Sequence, residues 1–132
     1  MKKFDQHFFT GLIHDAQASK RKRVSYNIHQ SGDDLLQRMY SALEPLTYVR
    51  PHKHRQPPKR ELFVLLTGRV LVIEYDNDGN ISDYALLEES GIQSVEIAPG
   101  VFHHIIAISE SSIVFELKDG PYDPSTDKEF AS

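Results

Sequence analysis

The chain has 132 residues, 39% of them hydrophobic and 26% charged, a mix that closes one hydrophobic core but leaves too little for a second. It contains no cysteine, which excludes disulfides, zinc ribbons, iron–sulfur clusters and thiol nucleophiles, so any metal must be held by histidine and carboxylate. A net charge of −4 argues against a nucleic-acid partner, because such binding rests on many Lys and Arg residues neutralising phosphates.

The opening segment MKKFDQHFFTGLIHDAQ lacks the uninterrupted apolar core of a secretory signal. No stretch approaches the ~18 apolar residues of a membrane span, so no membrane partner is expected and the cytoplasm is the expected location. Phe4, Phe8, Phe9, Leu12, Ile13 and Ala16 recur at helical spacing and predict an amphipathic helix over 4–19. His7 and His14 fall on its polar side. The run Lys20-Arg21-Lys22-Arg23 follows, where cations complement the dipole of a helix C-terminus. Residues 1–23 are therefore read as a helix and its basic exit packed on a main body formed by residues 24–132.

From Val24 onward, short apolar runs broken by turn residues give the signature of an all-β sandwich or barrel. Residues 62–66 and 70–75 flank Thr67-Gly68-Arg69 as a hairpin, and DNDGN at 76–80 turns into a further strand over 81–87. Strands are also predicted over 95–97, 102–108 and 111–117, with a turn-rich tail wrapping the surface. Residues 35–43, LLQRMYSAL, fit a helix through Leu35, Leu36, Met39, Tyr40 and Leu43, or a strand through Met39, Ser41 and Leu43.

The chemistry gathers in YVRPHKHRQPPKREL, residues 48–62. On a strand His52 and His54 point the same way, together with Tyr48 and Arg50, and two imidazoles on one face can share a cation. Glu61 opens the next apolar strand and adds an oxygen ligand, with RQPPKR bringing that strand back antiparallel. About fifty residues on, a Pro-Gly turn feeds a strand that begins with His103 and His104, of which only one can face inward.

These residues resemble the cupin superfamily, small β-barrels whose first motif pairs His-x-His with a downstream Glu and Gly and whose second sets a His after a Pro/Gly turn. The first motif is His52-Lys53-His54, Glu61 and Gly68; the second is Ala98-Pro99-Gly100 and His103. The match selects His103 over His104, which is then expected to face outward and be solvated. The implied architecture is a single cupin barrel, a double-stranded β-helix or jelly roll with an N-terminal helix. The spacing departs from the pattern, with six residues between His54 and Glu61.

The chain also resembles the bacterial WbuC family of cupin-fold metalloproteins. The likeness lies in Asn27-Ile28-His29, QRMYSALEP with TYVRPHKH, KRELFVLLTGR and GPYDPSTDKEF. It implies one bound divalent metal and an association with O-antigen gene clusters, and it implies that LLQRMYSAL is at least partly strand. It brings no reaction. Tyr122 and Lys128 are singled out only by the shared tail.

The predicted metal ligands are His52, His54, Glu61 and His103, with zinc, iron, manganese or nickel all compatible with such donors. Asn27, His29, Arg38, Tyr48 and Arg50 are candidates for the barrel mouth, with Arg50 or Lys59 holding an anionic group and Tyr48 or His29 moving protons. A metal with an open position suits an isomerase or epimerase acting on a sugar or similar small polar molecule. A non-catalytic carbohydrate- or carboxylate-binding module and a metal-dependent dioxygenase are the alternatives. Leu62, Val64 and Leu66 alternate on one strand face, which predicts a homodimer that covers them.

Overall fold

The computed structural model describes residues 1–47, 49–54 and 57–131. Its single helix, α1 (Gln6–Ala18), starts where the Asp5 carboxylate accepts the Phe8 N–H at 3.0 Å, capping an otherwise unsatisfied donor. Phe4 precedes the helix, yet its ring meets Phe8 and Tyr40 edge-on at 5.0 Å. At the other end Lys22 Nζ donates to the Gln17 carbonyl at 2.9 Å, so one cation of the basic run satisfies the helix C-terminus. No helix among the described residues is long and apolar enough to cross a membrane.

Ten strands follow among the described residues: β1 (Arg23–Asn27), β2 (Leu36–Leu43), β3 (His52–Lys53), β4 (Glu61–Thr67), β5 (Val70–Tyr75), β6 (Ile81–Leu87), β7 (Ser94–Ile97), β8 (Phe102–Ala107), β9 (Ser112–Asp119) and β10 (Glu129–Phe130). They form two five-stranded antiparallel sheets, ordered β1-β2-β9-β4-β7 and β10-β3-β8-β5-β6, that pack face to face as a jelly roll. The ambiguous LLQRMYSAL segment is strand from Leu36 on. It is hydrogen-bonded on both sides, to β1 and to β9, a ladder that a helix at this position would forfeit.

Leu43, Phe63, Val70, Val72, Leu87, Ile97, Ile105, Ala107 and Val114 fill the space between the sheets. On the outer face of the first sheet, Leu12 and Ala16 of α1 pack on Ala42 and Ile113. Each large side chain buried in this way contributes about 1.5–3 kcal/mol of transfer free energy. The β4–β5 turn needs Gly68, which sits at φ +86° and where an added Cβ would lie 2.6 Å from the Ser112 Cα.

Two strand pairings expected from the sequence are overturned: residues 62–66 and 70–75 flank their turn but do not pair as a hairpin, because packing between the layers puts β4 and β5 in different sheets. RQPPKR does not return the chain as an antiparallel neighbour, because β3 and β4 lie in different sheets. The link crosses from one layer to the other, so Glu61 faces the histidines across the barrel.

Candidate metal centre

His52 on β3 stands directly opposite His103 on the adjacent β8. His54 lies just past β3, where its carbonyl accepts the Gly100 N–H at 3.1 Å and ties this segment to the Pro-Gly turn that feeds β8. Gly100 is at φ +79°, in the left-handed region that glycine enters without a Cβ clash. Glu61 opens β4 in the facing sheet, between Ile97 and Lys118. One potential ligand atom from each of His52, His54, Glu61 and His103 lies within 4.8 Å of all the others. All four residues are buried, none more than 6% exposed.

The imidazoles are fixed from behind. His52 Nδ1 contacts the Arg50 carbonyl at 2.8 Å, His54 Nδ1 the Asp127 carbonyl at 2.6 Å, and His103 Nδ1 the Val101 carbonyl at 2.9 Å. A carbonyl only accepts, so each Nδ1 carries a proton and each Nε2 is turned toward the cluster. His103 Nε2 lies 2.8 Å from Glu61 Oε2. His54 Nε2 is 3.1 Å from the same oxygen but has no hydrogen-bond partner, a buried polar atom left without one. A buried carboxylate and three preset Nε2 atoms, one of them orphaned, suit a divalent cation.

The electrostatics point the same way. Burial and the neighbouring His103 charge push the His52 imidazole down to about 4, so it stays neutral. Burial alone would lower His103 too, but the hydrogen bond and negative charge of Glu61 outweigh it and raise its pKa. Burial would likewise raise Glu61, yet hydrogen bonds from Glu116 and His103 hold it well below the usual carboxylate range. Glu116 is pushed well up by burial and by the Glu61 charge, so it is the protonated partner of this carboxyl pair.

The C-terminal segment completes the surroundings. Asp127 is buried and receives Lys59 Nζ at 3.0 Å and Lys118 Nζ at 3.3 Å while its carbonyl holds His54. Phe130 of β10 pairs with His52, and the Ala131 N–H donates to the Pro51 carbonyl at 3.1 Å.

The remaining sequence candidates among the described residues lie elsewhere. Arg50 is exposed, with its guanidinium 4.5 Å from the Phe130 ring centroid and donating to the Ala131 carbonyl at 3.0 Å. Lys59 is buried against Asp127. Asn27 is exposed at the end of β1; His29 accepts the Arg38 N–H at 3.0 Å through Nδ1 and stabilises the β1–β2 connection. Arg38 has the parity of Tyr40 and Ala42, which face α1, so its side chain leaves from the outer face. Tyr48 lies outside the described residues. His104 does leave from the opposite face to His103, but it is not solvated: it is 8% exposed and stacked on Tyr75 with 5.4 Å between centroids. The aromatic neighbour, invisible in the local motif, covers it.

A cavity of about 510 Å³ opens onto His52, Glu61 and His103, with His54 set behind them. Its wall includes Glu116, Lys118, Lys128, Arg21 and Arg23, none of which sequence reasoning placed at the site. A signal existed for two of them: Ser112, Val114, Glu116 and Lys118 share one face of β9, so the polar residues continue a core-facing stripe.

Among solved structures, the chain is similar to the capsular polysaccharide assembling protein CapF from Staphylococcus aureus, with a TM-score of 0.68 and 19% identity over 82% of this chain and 29% of that one. It is also similar to Cellulomonas parahominis L-ribose isomerase, with a TM-score of 0.65 and 13% identity over 82% of this chain and 68% of that one. An oxalate oxidase matches with a TM-score of 0.62 and 11% identity, over 86% of this chain and 57% of that one. At these identities the likeness establishes the fold, a cupin barrel, and the chain spans less than a third of CapF. No curated protein matches the sequence. The model described as Domain of unknown function (DUF6016) matches residues 4–87, more than half of the chain and including His52, His54 and Glu61, and the chain therefore belongs to the DUF6016 family.

Proposed function

We propose that the protein is a metal-dependent cupin enzyme acting on a small polar molecule, a sugar or sugar derivative, in the cytoplasmic assembly of surface polysaccharide. The observation that carries this is the cluster of His52, His54, Glu61 and His103, whose ligand atoms converge within 4.8 Å and three of whose members open onto a cavity of about 510 Å³. A divalent zinc, iron, manganese or nickel ion held there would supply Lewis acidity toward a carbonyl or hydroxyl oxygen.

The protein's own part is to keep three Nε2 atoms aimed inward and to hold Glu61 ionised beside a protonated Glu116. Leu43, Phe63 and Ile105 line the same cavity and limit the water that reaches it. The polysaccharide setting is supported by the resemblance to the WbuC family and by a structural neighbour whose name is that of a capsular polysaccharide assembling protein. The isomerase direction is supported by the sugar isomerase among those neighbours.

Elemental analysis of protein purified from cells, with an anomalous-scattering map, tests the centre: one transition metal per chain is expected. His52→Ala, His54→Ala and His103→Ala should each lower metal affinity at least ~10-fold while the barrel stays folded by circular dichroism. A metal-replete crystal with these side chains splayed apart overturns the proposal. Failure of the loaded protein to turn over any member of a panel of sugars and sugar nucleotides overturns its catalytic part.

A further inference from the structure

The wall of the cavity is rich in cations. Arg21, Arg23, Lys118 and Lys128 all line it, against two carboxyl side chains among the described lining residues, Glu61, turned to the histidines, and Glu116. Lys118 is committed to Asp127 at 3.3 Å. Arg21 and Lys128 are exposed. The Arg21 backbone is anchored, its N–H to Ser19 Oγ at 3.1 Å and its carbonyl to Thr47 Oγ1 at 2.8 Å, so the side chain leaves from a fixed point. Positive charge concentrated in a cleft attracts and orients an anion, and guanidinium and ammonium donors form charge-assisted hydrogen bonds with its oxygens.

We propose that the cavity takes a small molecule bearing an anionic group, a carboxylate or a phosphate, which Arg21 and Lys128 hold while the rest of the molecule reaches His52, Glu61 and His103. The assignment of the far end of the ligand rests on the metal centre proposed above. The anionic end does not, because its residues are separate side chains from different parts of the chain. The basic stretch after α1 thus divides its work, Lys22 closing the helix and Arg21 facing the ligand.

Isothermal titration of the metal-loaded protein with glucose 6-phosphate, glucuronate and uncharged glucose tests this, with the metal content of each sample measured alongside. At least one of the two anions is expected to bind about tenfold or more tightly than glucose, with an affinity that falls as salt rises. Phosphate and carboxylate are told apart by which of the two wins. The Arg21→Gln/Lys128→Gln double variant should lose that advantage with its metal content unchanged. Anions binding no better than glucose, or a double variant that binds them like the parent, overturns the inference while leaving the metal centre standing. Metal-stripped protein titrated in the same way should keep the preference for the anion, so a failed metal centre and a failed anion site give different results.

Discussion

The two histidines that face each other across β3 and β8 are shifted in opposite directions by their surroundings. His52 is lowered from 6.5 to about 4 by burial and the His103 charge, while His103 is raised by Glu61 against the effect of its own burial. In metal-free protein, an NMR titration of the imidazoles should show His52 neutral down to about pH 4 and His103 still protonated above its ordinary midpoint. The signs follow from linkage. Below pH 6.5 the unfolded chain protonates His52 more readily than the folded one does, so its contribution to stability falls between about pH 6.5 and 4. His103 contributes below its ordinary pKa, and that contribution is lost as pH rises through its raised value. Coincident titration of the two would contradict the geometry. That His52, His54 and His103 would come together was legible in the sequence because strand parity and the Gly/Pro frame are local. Asp127, Glu116 and the stacking of Tyr75 on His104 were not, because they depend on contacts far apart in the chain.

At the scale of elements, the segment carrying Asp127 binds the site from behind. Its carboxylate neutralises two buried lysines, Lys59 and Lys118, and its carbonyl fixes the His54 tautomer. Asp127→Ala should cost about 3–5 kcal/mol in chemical denaturation, because it strands buried ammonium groups. It should also weaken metal binding about 10–100-fold in a chelator competition, the usual effect of disturbing an outer-shell partner. Wild-type values for both would show that the tail is decoration. The sequence suggested a wrapping tail from its turn residues, but could not indicate that a short strand, β10, would pair with β3 beside the ligands. The predicted hairpin of β4 and β5 shows the same limit, since the strands flank their turn as expected but belong to different sheets. Turn chemistry is written locally, whereas sheet membership is decided by packing between layers.

For the whole molecule, α1 covers only part of the outer face of the first sheet. Leu62 and Val64 stay half-buried on that face and Leu66 is 47% exposed. We expect a second copy of the chain to cover this strip. Light scattering should then give twice the mass of the single chain, and Leu66→Lys should shift it toward the monomer; a monomeric parent protein would refute the dimer.

Three carbonyls from three separate segments, those of Arg50, Val101 and Asp127, pin the imidazoles before any ion arrives. The rotational freedom that ligands normally surrender on coordination is therefore already spent when the barrel folds. An ion entering this cage would not need to reshape it. It would act as thermodynamic ballast, deepening the folded state in proportion to the logarithm of its free concentration above the dissociation constant while the secondary structure stays as it was.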